Sequence, residues 1–199
     1  IFLTDGRVLE GKRATTIDKF LRKLPEWDSP QIVAAVINGA LRELTYPVEM
    51  DSEVKLVTVK DADGSRIYRR SLTFLLQSAF EHLYQKATLT IDHAVESGGF
   101  YCQVSGRNGL GIEELTLLEN QMRKLVNADI PLIRKEIPLE EAINYFINKG
   151  QSDKARLLKY RKRPHLVIYQ LDNTHDYHHG YMVPSTGYLN IFSVVLMDY

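Results

Sequence analysis

A single cysteine, Cys102, is all that 199 residues contain, so neither an internal disulfide nor a thiolate zinc cluster can hold this fold together. Neither sign of charge prevails, since 25 Lys and Arg stand against 25 Asp and Glu. Dedicated nucleic-acid binders usually carry a basic excess, because neutralising phosphates and releasing their counterions supplies much of the affinity. The balance disfavours that class for the chain as a whole and leaves only local patches. No apolar run approaches the roughly 20 residues that cross a bilayer, and no charged start followed by an apolar stretch marks a secretory leader. Repeats and low-complexity segments are missing. A soluble, cytoplasmic protein without membrane partners is the expectation. The chain opens on Ile1 and ends in the strand-like run Leu196-Met197-Asp198-Tyr199, which reads as a piece cut from something longer.

What is present is a composition that folds, 44% hydrophobic and 25% charged. Residues 1–60 read as strands around one short helix. Asp5-Gly6 and Asn38-Gly39 are hairpin-turn signals. Thr16 stands where it can cap a helix over 17–24 that Pro25 ends, with Ile17, Phe20, Leu21 and Leu24 on one face. Residues 32–37, 40–44 and 54–59 are β-rich. Trp27, between Glu26 and Asp28, is expected to anchor an edge of this unit. The polar cluster Asp61-Ala62-Asp63-Gly64 marks a boundary, giving units of 1–61 and 62–199. In the second unit, helical stripes run over 71–85, 113–126, 140–148 and 152–160. Strands are expected over 88–91, 100–104, 132–137, 166–171 and 189–196. The fold class is α+β, with helices lying on an antiparallel sheet.

Three stretches resemble known families. Val36-Ile37-Asn38-Gly39-Ala40-Leu41-Arg42-Glu43-Leu44 resembles the hairpin of TGS domains, small ubiquitin-like (β-grasp) modules found in threonyl-tRNA synthetases. Residues 70–104, and Glu96-Ser97-Gly98-Gly99-Phe100-Tyr101 in particular, resemble the start of the second additional domain of that synthetase, which removes wrongly attached serine. Met182-Val183-Pro184-Ser185-Thr186-Gly187-Tyr188-Leu189 resembles a run in nucleoside kinases of the uridine kinase type that carry both modules ahead of a kinase domain. The resemblance implies a β-grasp unit followed by an editing-domain-like α+β unit. It also implies a kinase domain beyond Tyr199 using ATP and magnesium, with no cofactor in the present residues.

The departures from the family pattern are as informative. The editing domain uses two histidines four residues apart on its first long helix, and a cysteine and a histidine four apart in a late loop. The matching positions here are Arg70 and Phe74, then His178 and Met182. Of these four only His178 exchanges protons near neutral pH, so the resemblance implies a cleft without catalytic residues or metal ligands. Arg70 would suit a carboxylate or phosphate held there, or a local salt bridge.

Other motifs have ordinary readings beside their functional ones. Gly6-Arg7-Val8-Leu9-Glu10-Gly11-Lys12 fits the spacing of a phosphate loop, but Arg13 follows where Ser or Thr would hold magnesium. A solvated hairpin explains it as well. His175-Asp176-Tyr177-His178-His179 concentrates imidazoles, yet His178 and His179 point apart in an extended segment. They read as lining the old cleft or covering the sheet end, with Asp172 and Asp176 as acceptors that could orient a ring. Lys154, Arg156, Lys159, Tyr160, Arg161, Lys162 and Arg163 form a basic run with thin aromatic interleaving, mainly Tyr160, and Arg66, Arg69 and Arg70 form a second. A solvated helix face competes with phosphate binding by Lys159, Arg161, Lys162 and Arg163.

Three functions follow. The leading expectation is a non-catalytic accessory or regulatory region of a uridine kinase-like protein, partnered by the kinase domain of the same chain. The alternatives are an aminoacyl-tRNA deacylase-like hydrolase guided by His178 or His179, and an RNA- or nucleotide-binding module that takes a nucleotide or tRNA-like ligand.

Overall fold

Asn38 and Gly39, both at positive φ (48° and 80°), fold the first apolar run back on itself. The turn joins β3 (Ile32–Ile37) to β4 (Ala40–Glu43) in an antiparallel pair. This and all that follows comes from a computed structural model that describes residues 1–25, 32–96 and 98–197. The expectation about Trp27 lies outside the described residues. β6 (Glu53–Thr58) pairs antiparallel with β3, and β1 (Phe2–Leu3) pairs parallel with β6. The sheet order is β1-β6-β3-β4. A small second pair joins β2 (Thr15–Thr16) to β5 (Pro47–Val48).

Helix α1 is shorter than its apolar stripe, Ile17–Leu21, and Thr16 stands at its cap position without a side-chain cap bond. Leu24 still reaches the core with Ile17, Phe20 and Leu21. The Gly6–Lys12 stretch is a turn with a single bridge from Val8 to Phe2, and no helix opens on it.

The polar cluster at 61–64 is the first turn of α2 (Ala62–Leu83), which starts nine residues before the stripe seen in the sequence. The Asp61 carboxylate faces backwards, accepting from the Thr58 amide (2.7 Å) and hydroxyl (2.9 Å), and so fixes the corner between β6 and α2. Gly64 lets the helix meet the strand end, since a Cβ there would sit 1.8 Å from the Thr58 carbonyl oxygen. Through this contact Val33, Ala34 and Val57 of the first sheet share one core with Ile67, Phe74, Leu75, Ala79 and Phe80 of α2.

β7 (Thr88–Ala94) and β8 (Phe100–Ser105) form the expected hairpin, with a bulge near Asp92. α3 (Ile112–Asn127) packs on α2. β9 (Ile133–Pro138), β10 (His165–Leu171) and β11 (Thr174–Tyr177) make an antiparallel sheet ordered β11-β10-β9. Alternation along β10 serves two cores. Leu166 and Ile168 pack with α4 (Leu139–Asn148) and α5 (Ser152–Leu158), while Tyr169 and Leu171 pack towards α2 and α3. The class is therefore α+β, with sheets antiparallel apart from the β1–β6 pair.

Residues 189–196 are not the expected strand. Leu189, Phe192 and Val194 join the core that α2 and α3 share, Ile191 and Val195 are exposed, and side chains satisfy much of the backbone. Tyr68 Oη donates to Ile191 O (3.1 Å) and accepts from Ile191 N (2.9 Å), Arg123 donates to Asn190 O and Phe192 O, and Glu119 accepts from Val194 N. The Ser185-Thr186-Gly187 run is a staple. Buried Thr186 donates its hydroxyl to Leu125 O at the end of α3 (2.6 Å) and accepts from Ile130 N (2.8 Å). Asp129 accepts from Ser185 Oγ and Gly187 N. Among the described residues no helix is long and apolar enough to cross a membrane.

Candidate functional site

Arg70 and Phe74 sit one turn apart on α2 and therefore on one face. The segment that follows β11 is laid across that face. Ser71, between them, accepts from the buried Val183 amide (3.0 Å) and donates to Ile67 O (2.8 Å). Arg70 Nη1 donates to Tyr181 O (2.6 Å). Its guanidinium lies flat against Gly180, where φ is +113° and a Cβ would come within 2.8–3.0 Å of it. Phe74 is wholly buried, as is Met182. The Phe74 ring meets His178 in an edge contact, with centroids 5.1 Å apart and planes at 63°. The four positions matched to the editing motif thus converge, and hydrocarbon fills much of the space between them.

His178 is the one titratable imidazole among them. Burial lowers its pKa to about 4. The nearby Asp176 carboxylate pulls the other way, while Lys154, Arg70 and His179 add to the depression. Nε2 of His178 is buried without a hydrogen-bond partner among the described residues. At neutral pH this ring is a neutral, poorly basic group against a phenyl edge. Burial also lowers the Arg70 pKa from its usual range. Asp176 is spent locally. Its Oδ2 accepts from Lys154 Nζ (2.5 Å) and its Oδ1 from Tyr177 N (2.8 Å). Asp172 pairs with His82 (3.1 Å) rather than with a histidine of the 175–179 cluster. Among the described residues no three His, Cys, Asp or Glu side chains are grouped to hold a metal ion.

The two basic runs are divided by the fold. Lys154 is held by Asp176, Arg156 by Asp153 (3.1 Å) and Arg66 by Asp63 (2.7 Å). Arg69 covers the Phe100 ring at 4.7 Å. Lys159, Arg161, Lys162 and Arg163 have no ion-pair partner among the described residues. Arg161 is half-buried, and its Nε is shielded without an acceptor. Adjacent His179 turns away from His178 and lies edge-on to Tyr177, with centroids 5.8 Å apart. It lines a cavity of about 270 Å³ together with Arg161. Residues that the sequence placed in separate groups therefore meet on the outer side of β11.

Sequence reasoning missed the partners that hold these residues. Glu81 accepts from Lys149 (2.9 and 3.0 Å) and from Thr174 Oγ1 (3.1 Å), tying α2 to α4 and β11. The helical spacing of Glu81 from Phe74 was visible, but nothing in the chain announces a lysine 68 residues away. Tyr169 donates to Glu43 of the first sheet (2.9 Å), a contact between distant segments with no local signal.

No family model matches the chain. It is 32% identical over 196 residues to a threonine-tRNA ligase of Laribacter hongkongensis and to one of Methylococcus capsulatus. It is 30% identical over 196 residues to threonine-tRNA ligase 1 of Bacillus subtilis. Each alignment takes in 98% of this chain, which spans 31%, 31% and 30% of those relatives' lengths. Similarity of this extent overturns the expectation of a uridine kinase accessory region, for which the 182–189 run was the sign and which alone had brought in ATP and magnesium. That run is a hydrogen-bonded staple on α3, and from end to end the chain is similar to part of the threonine-tRNA ligases.

Proposed function

We propose that this chain is a tRNA-synthetase-related RNA-binding module, which holds a tRNA-like or nucleotide ligand without hydrolysing an aminoacyl ester on it. Similarity to threonine-tRNA ligases over nearly the whole chain supports the RNA connection. The observation that carries the choice of binding over hydrolysis is the packing of Phe74 on His178, with Met182 buried in the same core as Phe74. Ester hydrolysis at neutral pH needs a positioned proton acceptor with a pKa near the working pH. A histidine pushed to about 4 by burial is a poor one. Cations at Lys159, Arg161, Lys162 and Arg163, without ion-pair partners among the described residues, supply phosphate-binding capacity although the whole chain has no net charge.

The same reading takes residues 1–61 as a TGS-like β-grasp unit and residues 62–199 as the editing-domain-like unit. Parallel pairing of β1 with β6, with β3 and β4 beyond it, supports the first assignment.

Two measurements on the full chain test the proposal. Filter binding should detect uncharged tRNA at low salt, with affinity falling as salt rises. Seryl-tRNA incubated with the chain should release serine no faster than the uncatalysed ester. Accelerated release that disappears in His178→Ala would replace the binding reading with the deacylase one.

A further inference from the structure

The outer side of β11 carries a second concave site, separate from the cleft that the family resemblance singles out. Tyr177 and His179, at the end of β11 and just past it, form one wall, and Tyr160 and Arg161, just past α5, form the other. The basic residues here exceed what the helix end requires. Backbone amides of Lys159, Tyr160 and Arg161 already donate to the last carbonyls of α5, so the side-chain charges are free of that duty. Arg161 lines the pocket and has no ion-pair partner among the described residues, and a guanidinium so placed presents its terminal N–H fork to an incoming phosphate oxygen. Tyr160 is 81% exposed beside it, a large aromatic surface with little packing of its own. His179, also exposed, is edge-on to Tyr177, whose ring is in turn edge-on to buried Phe146 (5.7 Å) and so is fixed in place. The cavity, about 270 Å³, has room for one small group rather than a folded partner.

From this juxtaposition we infer that the α5–β11 pocket binds a single phosphate–base unit of an unpaired nucleotide. The phosphate lies on Arg161, with Lys159, Lys162 and Arg163 attracting the neighbouring backbone, and the base stacks on Tyr160 with His179 able to hydrogen-bond its edge. Aromatic stacking beside a cationic track is the general chemistry of single-strand recognition. The inference rests on the RNA-binding reading above and gives it a location that the occluded cleft does not.

The test is fluorescence anisotropy of a labelled eight-nucleotide single-stranded RNA of mixed sequence, titrated with the full chain at several salt concentrations. Arg161→Gln should weaken binding about tenfold and lower the slope of log affinity against log salt by roughly 0.7, the contribution of one phosphate contact on a single strand. Tyr160→Ala should also weaken binding, on the order of tenfold, but leave that slope unchanged, and Tyr160→Phe should bind like the parent, because stacking uses the ring face and not the hydroxyl. Thermal melts unchanged from the parent exclude misfolding of these variants. If the parent binds RNA and both Arg161→Gln and Tyr160→Ala bind equally well, the pocket is wrongly placed while the RNA reading stands. If the parent shows no binding even at low salt, the RNA reading falls and the pocket with it. Competition with adenosine 5′-monophosphate separates the sources of the ligand. Displacement by the mononucleotide at micromolar concentration supports the pocket as a site for free nucleotides, and displacement by oligonucleotides alone supports it as a site on a strand.

Discussion

His178 and His179 are neighbours in the chain and opposites in every physical respect. β11 ends at Tyr177 and the chain bends at 179 and 180, which sends the two side chains into different surroundings. His178 enters the layer between β11 and α2, loses water, and is held neutral against Phe74. His179 stays in solvent beside Arg161 and the tyrosines. One side of the segment has become core and the other has become surface chemistry. A cluster of imidazoles in a sequence therefore says little about function until the local backbone is known, because adjacent side chains can enter different environments.

The sharpest way to break this contrast is to empty the inner side. Phe74 is a fully buried ring in the core shared by α2, α3 and the first sheet. Phe74→Ala should cost about 4 kcal/mol, from lost burial plus the cavity left behind. Urea unfolding monitored by circular dichroism would measure it. A loss under 1 kcal/mol would mean that the inner side is an open cleft and not core. Next in size is Ser71→Ala. It removes the acceptor of the buried Val183 amide, and an orphaned buried donor costs about 2 kcal/mol. The same unfolding curves report it, and the expected loss should be matched by faster hydrogen exchange at Val183.

How far this was readable in advance follows from where the information lies. Helices α3 and α4 and the β7–β8 hairpin came directly from periodicity, because their partners are near in sequence or their apolar stripes are complete. The four cleft positions come from resemblance; the structure sets Phe74 on His178 and bonds Arg70 to the backbone at Tyr181, next to Met182. The segment 189–196 misled, because apolar residues lying on a helix alternate much as a strand does. What separates the two is the hydrogen-bonding partner, here Tyr68, Glu119 and Arg123, and those side chains are about 70 or 120 residues away. The start of α2 misled for a local reason. Asp61, Asp63 and Gly64 look like a turn, and Gly64 is instead the residue that lets helix and strand end touch. The outer pocket was invisible as a unit because its two walls belong to different elements, although each wall had been noticed alone.

Protonation offers a milder probe of the inner side. In the folded chain His178 resists protonation until about pH 4, whereas an unperturbed imidazole takes its proton near 6.5. Between those values the unfolded state binds more protons, so stability is full above about pH 6.5 and declines as pH falls towards 4. The charges of Asp176, Lys154 and Arg70, and of His179 behind it, act on this ring and set where the decline begins. The loss attributable to His178 from pH 7 to pH 5 should be on the order of 2 kcal/mol. Denaturation at a series of pH values, compared with His178→Gln, isolates it, because the glutamine has no proton to gain. Parallel pH profiles for the two proteins would show that His178 is not the buried neutral group described.

The outer side should respond hardly at all by the same measure. Tyr160 and His179 are exposed, and substitutions at such positions away from caps and buried networks change stability by less than about 0.5 kcal/mol. Tyr160→Ala and His179→Ala should therefore unfold at the denaturant concentration of the parent. Neither result would be informative alone. Set against the Phe74→Ala loss it is, because it separates a side chain retained for packing from one whose removal the fold does not register. If Tyr160→Ala instead costs 2 kcal/mol or more, the ring is holding α5 on the sheet, and a stacking surface is no longer needed to explain why an aromatic residue stands in solvent next to an unpaired arginine.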